Sequence, residues 1–355
     1  MYYLYQNKQW QSIHTVVIGS GPTGLAASFL LKQQGVPHVL LEKTEHVASS
    51  WYALWDNYRL AMSLDEIDMP GADFYQDSDK NIHPTRDQMI SFFKEYARSN
   101  ELPIQYLSPV IRVQKNGLDK FEVETLTSVY VCKNVICCIG PRHERKLPLD
   151  AALLQQREDI QVMHSQDYRS TAQFRSTDRI LVVGSGVTAL SITQDIMSNG
   201  FKVELACGYT SEEIVLRNQH LYAKRKQSKI VPTLADLEQQ GLKNHGRFLS
   251  YDNQTLKFIQ RKQEHSLSIK QYNVFIFATG YTCSFEILGN VLKLDKGTKA
   301  PLLKNGLSEI PGLYIGGIPP EDQPTVVISD GTENAKKIVA DICKVKLVPK
   351  VPAKL

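Results

Sequence analysis

The chain has 355 residues, 42% hydrophobic and 22% charged, with a formal net charge of +4. That length accommodates two sizeable cores, and the composition is ordinary for a globular protein in water. The small, dispersed charge argues against a nucleic-acid partner, and no apolar run approaches the ~18 residues of a membrane span.

The first ten residues carry Tyr2, Tyr3, Tyr5 and Trp10, so this arm is expected to pack on something. It lacks the basic and apolar regions of a secretion signal, and a cytoplasmic protein is expected. A strand beginning near Ile13 and ending on Val16-Val17-Ile18 runs into Gly19-Ser20-Gly21-Pro22-Thr23-Gly24. This order of strand, glycine turn and helix suits a dinucleotide pyrophosphate. The first glycine makes the tight turn and the second lets backbone approach phosphate. The third lets helix pack on strand, with the anion at the helix N-terminus. A helix is expected over 22–34, closed by Gly35, followed by a strand over 39–42. Glu42, with Lys43 beside it, falls where a carboxylate accepts hydrogen bonds from the ribose of an adenine dinucleotide and repels a 2′-phosphate. The first site should therefore hold FAD or NAD.

Thr85 and Gln88 form a capping box opening an amphipathic helix with Met89, Phe92, Phe93 and Tyr96. Strand-like pieces at 109–114, 120–125 and 130–139 read as an antiparallel insert that returns the chain to the first sheet, and 141–178 reads as a polar connection. A second fingerprint follows Ile180-Leu181-Val182-Val183: Gly184-Ser185-Gly186-Val187-Thr188-Ala189, with small Ala189 in the third place. Its helix runs to Gly200 and its next strand over 202–207. At Ala206-Cys207-Gly208 there is neither an acid to mark NAD nor an arginine to mark NADP. Weak discrimination is expected unless Arg217 or the basic run Lys224-Arg225-Lys226 with Lys229, otherwise read as solvated surface, folds back. Buried strands are expected over 273–280 and 312–317, then a final helix over 331–343.

Two such turns in one chain point to two nucleotides bound face to face, as in a flavoprotein reduced by a nicotinamide coenzyme. The expected fold is α/β, with two Rossmann-like domains. Residues 1–145 and 276–355 form a discontinuous FAD-binding domain, and residues 146–275 an inserted NAD(P)H-binding domain. The six cysteines, at 132, 137, 138, 207, 283 and 343, show no CxxC and no metal-type spacing. They fit a reducing compartment, with Cys137 and Cys138 read as strand-end packing.

The chain resembles the flavin-containing monooxygenases that use FAD and NAD(P)H, including the plant auxin-forming enzymes and short bacterial members. The resemblance covers approximately residues 13–343. It is carried by Val47-Ala48-Ser49-Ser50-Trp51, Tyr58-Arg59-Leu60, the stretch from His83 to Met89, His164-Ser165-Gln166-Asp167-Tyr168, and Phe277-Ala278-Thr279-Gly280-Tyr281. It implies a tryptophan, Trp51, near the flavin, and adds Gly140, Gly280 and Gly317 to the cofactor-binding residues. It makes His164 and Tyr281 the catalytic candidates, as polar or stacking groups near the domain interface. The alternatives are a hinge histidine and a core tyrosine. The family's leading phenylalanine and glycine fall at Glu158 and Ile160. Its first ATG-like motif reads Cys138-Ile139-Gly140, and Ala61-Met62-Ser63-Leu64 lacks the flavin-side asparagine of many members.

The implied activity is that of a monooxygenase. NADPH or NADH reduces FAD, which activates dioxygen as a C4a-(hydro)peroxide toward a small N or S nucleophile or a carbonyl. A flavoprotein reductase without an internal dithiol is the alternative, and a silent FAD-binding scaffold a third reading. Partners are the small-molecule substrate and dioxygen, with no nucleic acid, no membrane and homodimerisation left open.

Overall fold

The computed structural model describes residues 8–72, 82–222, 230–252, 254–296, 301, 303, 308–318 and 328–344. Residues 1–7 of the aromatic arm and the basic run 224–229 lie outside them. The first half comprises β1 (Gln9–Ile18), α1 (Pro22–Gln33), β2 (His38–Leu41), α2 (Arg86–Ser99), β3 (Ile104–Gln105), β4 (Val110–Lys115), β5 (Phe121–Thr125) and β6 (Ser128–Cys137). The chain then crosses through β7 (Glu144–Arg145) into α3 (Leu149–Gln155), β8 (Gln161–His164), β9 (Arg179–Val183), α4 (Val187–Ser198) and β10 (Lys202–Ala206). Next come α5 (Ser211–Arg217), α6 (Gln219–Tyr222), α7 (Leu234–Gln239), β11 (Arg247–Asp252), β12 (Thr255–Gln260), β13 (Gln263–Ser268) and β14 (Val274–Phe277). It returns through β15 (Tyr281–Thr282) to β16 (Leu313–Ile315) and α8 (Ile328–Cys343).

Two sheets result. The first has the order β3-β2-β1-β6-β5-β4, with β16 also on β6. Its β1, β2, β3, β6 and β16 run parallel, while β4, β5 and β6 form the antiparallel insert that the spacing of 109–139 foretells. The second is the parallel sheet β10-β9-β14-β8. Its central strands β9 and β14 are apolar and buried almost throughout, as strands covered on both faces must be.

Three expectations shift. β1 starts at Gln9, because Gln9 and Trp10 already pair with Ser128 and Val129 of the long β6. The polar stretch 141–178 contains β8, a short outer strand whose pairing with β14 supplies what its four residues do not signal. The expected boundary between 275 and 276 runs through β14, whose Ile276 and Phe277 pair with β8 and β9 in the second sheet. The two crossings meet as an antiparallel ribbon, Tyr281 opposite Arg145 and Thr282 opposite Glu144.

Helix α1 is apolar on most of its surface because it is sandwiched between the first sheet and α8. Its Leu25, Ala26, Ala27 and Leu31 are fully buried, the leucines contributing roughly 1.5–3 kcal/mol each. Among the described residues no helix is long and apolar enough to cross a membrane, and no group of three metal-ligating side chains forms.

Candidate functional site

Both glycine turns lie at the C-terminal ends of parallel strands, where open α/β sheets bind ligands. They are built alike. Gly19 has φ +97°, and a Cβ there would lie 2.6 Å from the Cys138 carbonyl oxygen. Gly184 faces the Ala278 carbonyl in the same way, at 2.4 Å. Each turn therefore presses against the residue that follows the neighbouring strand. A Cβ on Gly24 would fall 1.9 Å from the Gly19 oxygen, which leaves only hydrogen at that point in the first turn.

Gly21 and Gly186 differ from these. Both have ordinary extended backbone, and a Cβ on either meets nothing within 4 Å. Neither is needed for the fold; each keeps open space over a helix N-terminus. Gly21 caps α1 and Gly186 caps α4, with no side chain bonding the first-turn N–H groups. Thr85, Thr210 and Thr233 by contrast cap α2, α5 and α7 through capping boxes. Unsatisfied donors under an open surface match the needs of a pyrophosphate.

Glu42 is buried at the end of β2 and accepts four hydrogen bonds: from Ser20 N (3.1 Å) and Oγ (2.5 Å), and from Thr44 N and Oγ1 (2.9 Å each). The carboxylate expected to read ribose thus also fixes Ser20 within the turn. Lys43 is exposed, and its charge reaches His143 in the first crossing. Gly140 follows Ile139, which lies against Gly19, and Gly317 packs on Thr23, where a Cβ would be 3.0 Å from Oγ1. Buried Thr23 and Gly24 thereby sit between the ends of β6 and β16 and the start of α8, whose Gly331 also abuts Thr23.

One neighbour carried no signal in the sequence. Asn334 of α8, beside Gly316, has a buried Oδ1 with no hydrogen-bond partner, an acceptor that a bound N–H or O–H would satisfy. Trp51 lies in a short 3-10 turn against Tyr58 and Phe93, with ring centroids 6.2 and 5.3 Å away.

In the second turn Ser185 is half-buried, Gly186 and Thr188 are exposed, Val187 packs on the core and Ala189 is buried. Ser185 Oγ accepts the Gly208 N–H at 2.8 Å, joining the turn to the end of β10. The sequence shows no arginine at 206–208, but the structure supplies one: Gly208 lies against the Arg247 stem.

His164 is placed between backbone groups. Its Nε2 lies 3.0 Å from the Gly280 oxygen, and its Nδ1 accepts from Gln166 N at 3.2 Å. Burial holds its pKa below the usual histidine value, which keeps the ring neutral, donating at Nε2. Both ring nitrogens are engaged by backbone groups at the second crossing. Tyr281 stacks edge-on against His164 at 5.0 Å, with the Arg142 guanidinium 5.8 Å from its ring centre. These two and Gly280 form one cluster at the ribbon between the sheets. Three cysteines are packed into the first sheet: Cys132 and Cys137 are buried, with thiols pushed up to about 12, and burial raises Cys138 as well.

Comparison with known proteins agrees with this geometry. Residues 16–317 match the family model described as pyridine nucleotide-disulphide oxidoreductase. The chain is 29% identical over 182 residues to an uncharacterized oxidoreductase, CzcO, of Bacillus subtilis, covering 51% of each chain. It is 28% identical over 204 residues to the probable indole-3-pyruvate monooxygenase YUCCA7 of Arabidopsis thaliana, covering 52% of this chain and 44% of that one. These matches span about half the length of those relatives. The flavin-containing monooxygenase of Stenotrophomonas maltophilia has the same fold, with a TM-score of 0.76 at 18% identity over 94% of this chain and 99% of that one.

Proposed function

The chain belongs to the pyridine nucleotide-disulphide oxidoreductase family, and we propose that it acts as an FAD-dependent monooxygenase reduced by NADPH or NADH. The observation that carries this reading is the pair of uncapped helix N-termini, each beneath an open glycine, on two sheets joined by one ribbon. When bound, FAD accepts hydride from the nicotinamide and activates dioxygen; the protein supplies binding, orientation and exclusion of water.

The residues fit such groups. The N–H groups opening α1, together with Gly21, would hold the FAD pyrophosphate, with Glu42 reading its ribose and keeping Ser20 in place. The second turn, Gly184 to Ala189, would hold the nicotinamide coenzyme. His164 and Tyr281 position the crossing between the two. No side-chain nucleophile would be needed, because the bound flavin would supply the oxygen-activating chemistry. The resemblance to flavin monooxygenases and the likeness to YUCCA7 support a small-molecule substrate of that kind.

The second reading is a reductase working without an internal dithiol relay. The chain has no CxxC, and its paired cysteines are buried with raised thiols, so reduced flavin would have to meet an external disulfide directly. The two readings separate on mixing NADPH-reduced holoprotein with oxygen. Oxygenation of an added amine, sulfide or ketone, without stoichiometric release of hydrogen peroxide, supports the first. Full recovery of consumed oxygen as peroxide across such a panel, with turnover on disulfides, replaces it with the second.

A further inference from the structure

We propose that Arg247 selects NADPH over NADH by gripping the coenzyme's 2′-phosphate at the end of β10. This rests on the reading of the second glycine turn as the nicotinamide-coenzyme site. In a dinucleotide held on such a turn, the adenosine ribose is read at the end of the next strand. Here that strand is β10, and its end, Ala206-Cys207-Gly208, carries no charge of its own.

The structure brings the missing charge from far along the chain. A Cβ on Gly208 would lie 2.8 Å from Arg247 Cβ and 3.2 Å from Cγ, so the arginine stem occupies the space beside the glycine. Gly208 also donates to Ser185 Oγ, which links the residue touching Arg247 to the glycine turn itself. The approach is fixed by backbone pairing. Leu205 N donates to the Lys243 oxygen and His245 N to the Leu205 oxygen, at 3.0 and 2.8 Å. Asn244 Oδ1 accepts from both Cys207 N and Gly246 N, at 3.0 and 3.1 Å. Segment 243–247 is thereby zipped along β10, and Arg247 emerges at its tip, opposite Ile259 in the β11–β12 ladder.

Charge favours the same assignment. Arg247 is exposed and makes no ion pair among the described residues, and Arg217 adds a second cation on this rim, 4.3 Å from the centre of the Tyr209 ring. Of the two acids whose charge reaches Cys207 at this strand end, Glu238 and Glu213, the latter is engaged with Thr210 N at 2.7 Å. A guanidinium fork matches a phosphate dianion in geometry and charge, which a ribose hydroxyl does not.

The test is steady-state kinetics of holoprotein with each coenzyme, paired with equilibrium binding of 2′-phospho-ADP-ribose and ADP-ribose. The wild type should favour NADPH in kcat/KM by at least about tenfold, expressed in KM. Arg247→Ala should lower that ratio by about tenfold, Arg247→Lys should lower it by less, and Arg217→Ala should change it less than Arg247→Ala. Loss of 2′-phospho-ADP-ribose affinity in Arg247→Ala, with ADP-ribose affinity kept, supports the assignment even if neither coenzyme reduces the flavin; that outcome would sink only the oxidoreductase reading. Flavin reduced equally well by both coenzymes, with no effect of Arg247→Ala on the ratio or on binding, overturns the assignment and leaves the proposed function standing. So does a ratio controlled by Arg217 alone.

Discussion

The Asn57 amide donates to the Asp195 carboxylate at 3.0 Å, tying the loop that carries Trp51 and Trp55 to the helix that follows the second glycine turn. The other oxygen of Asp195 accepts the Tyr168 hydroxyl at 2.6 Å. Around this point Asp56 N donates to the Arg169 oxygen, and both Arg169 and Arg86 donate to the Leu54 oxygen. Asp195→Ala should leave flavin bound but slow its reduction by NAD(P)H, because the two nucleotide sites lose their mutual orientation. It should also cost about 1–3 kcal/mol in urea unfolding, since the Tyr168 hydroxyl is left without its acceptor. An unchanged reduction rate would remove this contact from the account.

The open glycines separate the two sites. Gly21→Val should fold, because its Cβ meets nothing within 4 Å, yet purify without flavin. Gly186→Val should keep flavin that dithionite bleaches and NAD(P)H does not. Yellow Gly21→Val protein at full occupancy, or loss of flavin from Gly186→Val, would show that the sites are assigned wrongly.

Glu42→Gln tests the carboxylate as an organiser of the first turn. Every group around it is a donor, so one half of a carboxamide would point N–H at N–H or O–H. Loss of flavin affinity equivalent to about 1–3 kcal/mol is expected. Equilibrium flavin titration measures it, and wild-type affinity would leave Glu42 without this role.

Stability should fall on mild acidification. Burial, the largest cause in each case, lowers the pKa of His38, His143, His164 and His245 below 6.5. Between those lowered values and 6.5 the unfolded chain binds more protons than the folded one. The stability they contribute is full above about 6.5 and is lost as pH falls below it. The melting temperature should drop between pH 7 and pH 5, and His164→Asn should show a shallower drop. A flat profile over that range would show that these rings are not buried neutral.

What could be read along the chain was what local chemistry determines. Both glycine turns, Glu42 and the Thr85 capping box lie within a few residues of the strand or helix that gives them meaning. Arg247 could not be found this way, because it reaches Gly208 only through the pairing of 243–247 with β10. β8 is four residues long and is a strand only by virtue of β14. His164 was visible within its motif, but its neutral state comes from burial in the assembled fold, and its Gly280 carbonyl partner is brought near only by the ribbon. Asn334 sits in an ordinary amphipathic helix, and only its unpartnered oxygen marks it.

The central claim, that a nicotinamide coenzyme reduces a flavin which then transfers oxygen, is tested most directly by double-mixing stopped-flow. FAD-loaded protein is reduced anaerobically with NADPH and then mixed with oxygenated buffer. The account predicts rapid bleaching on reduction. On oxygen mixing it then predicts a transient absorbance distinct from both oxidised and reduced flavin, whose decay quickens with an oxidisable amine, sulfide or ketone. Direct return of the oxidised spectrum with no intermediate, unaffected by any such compound, would contradict it.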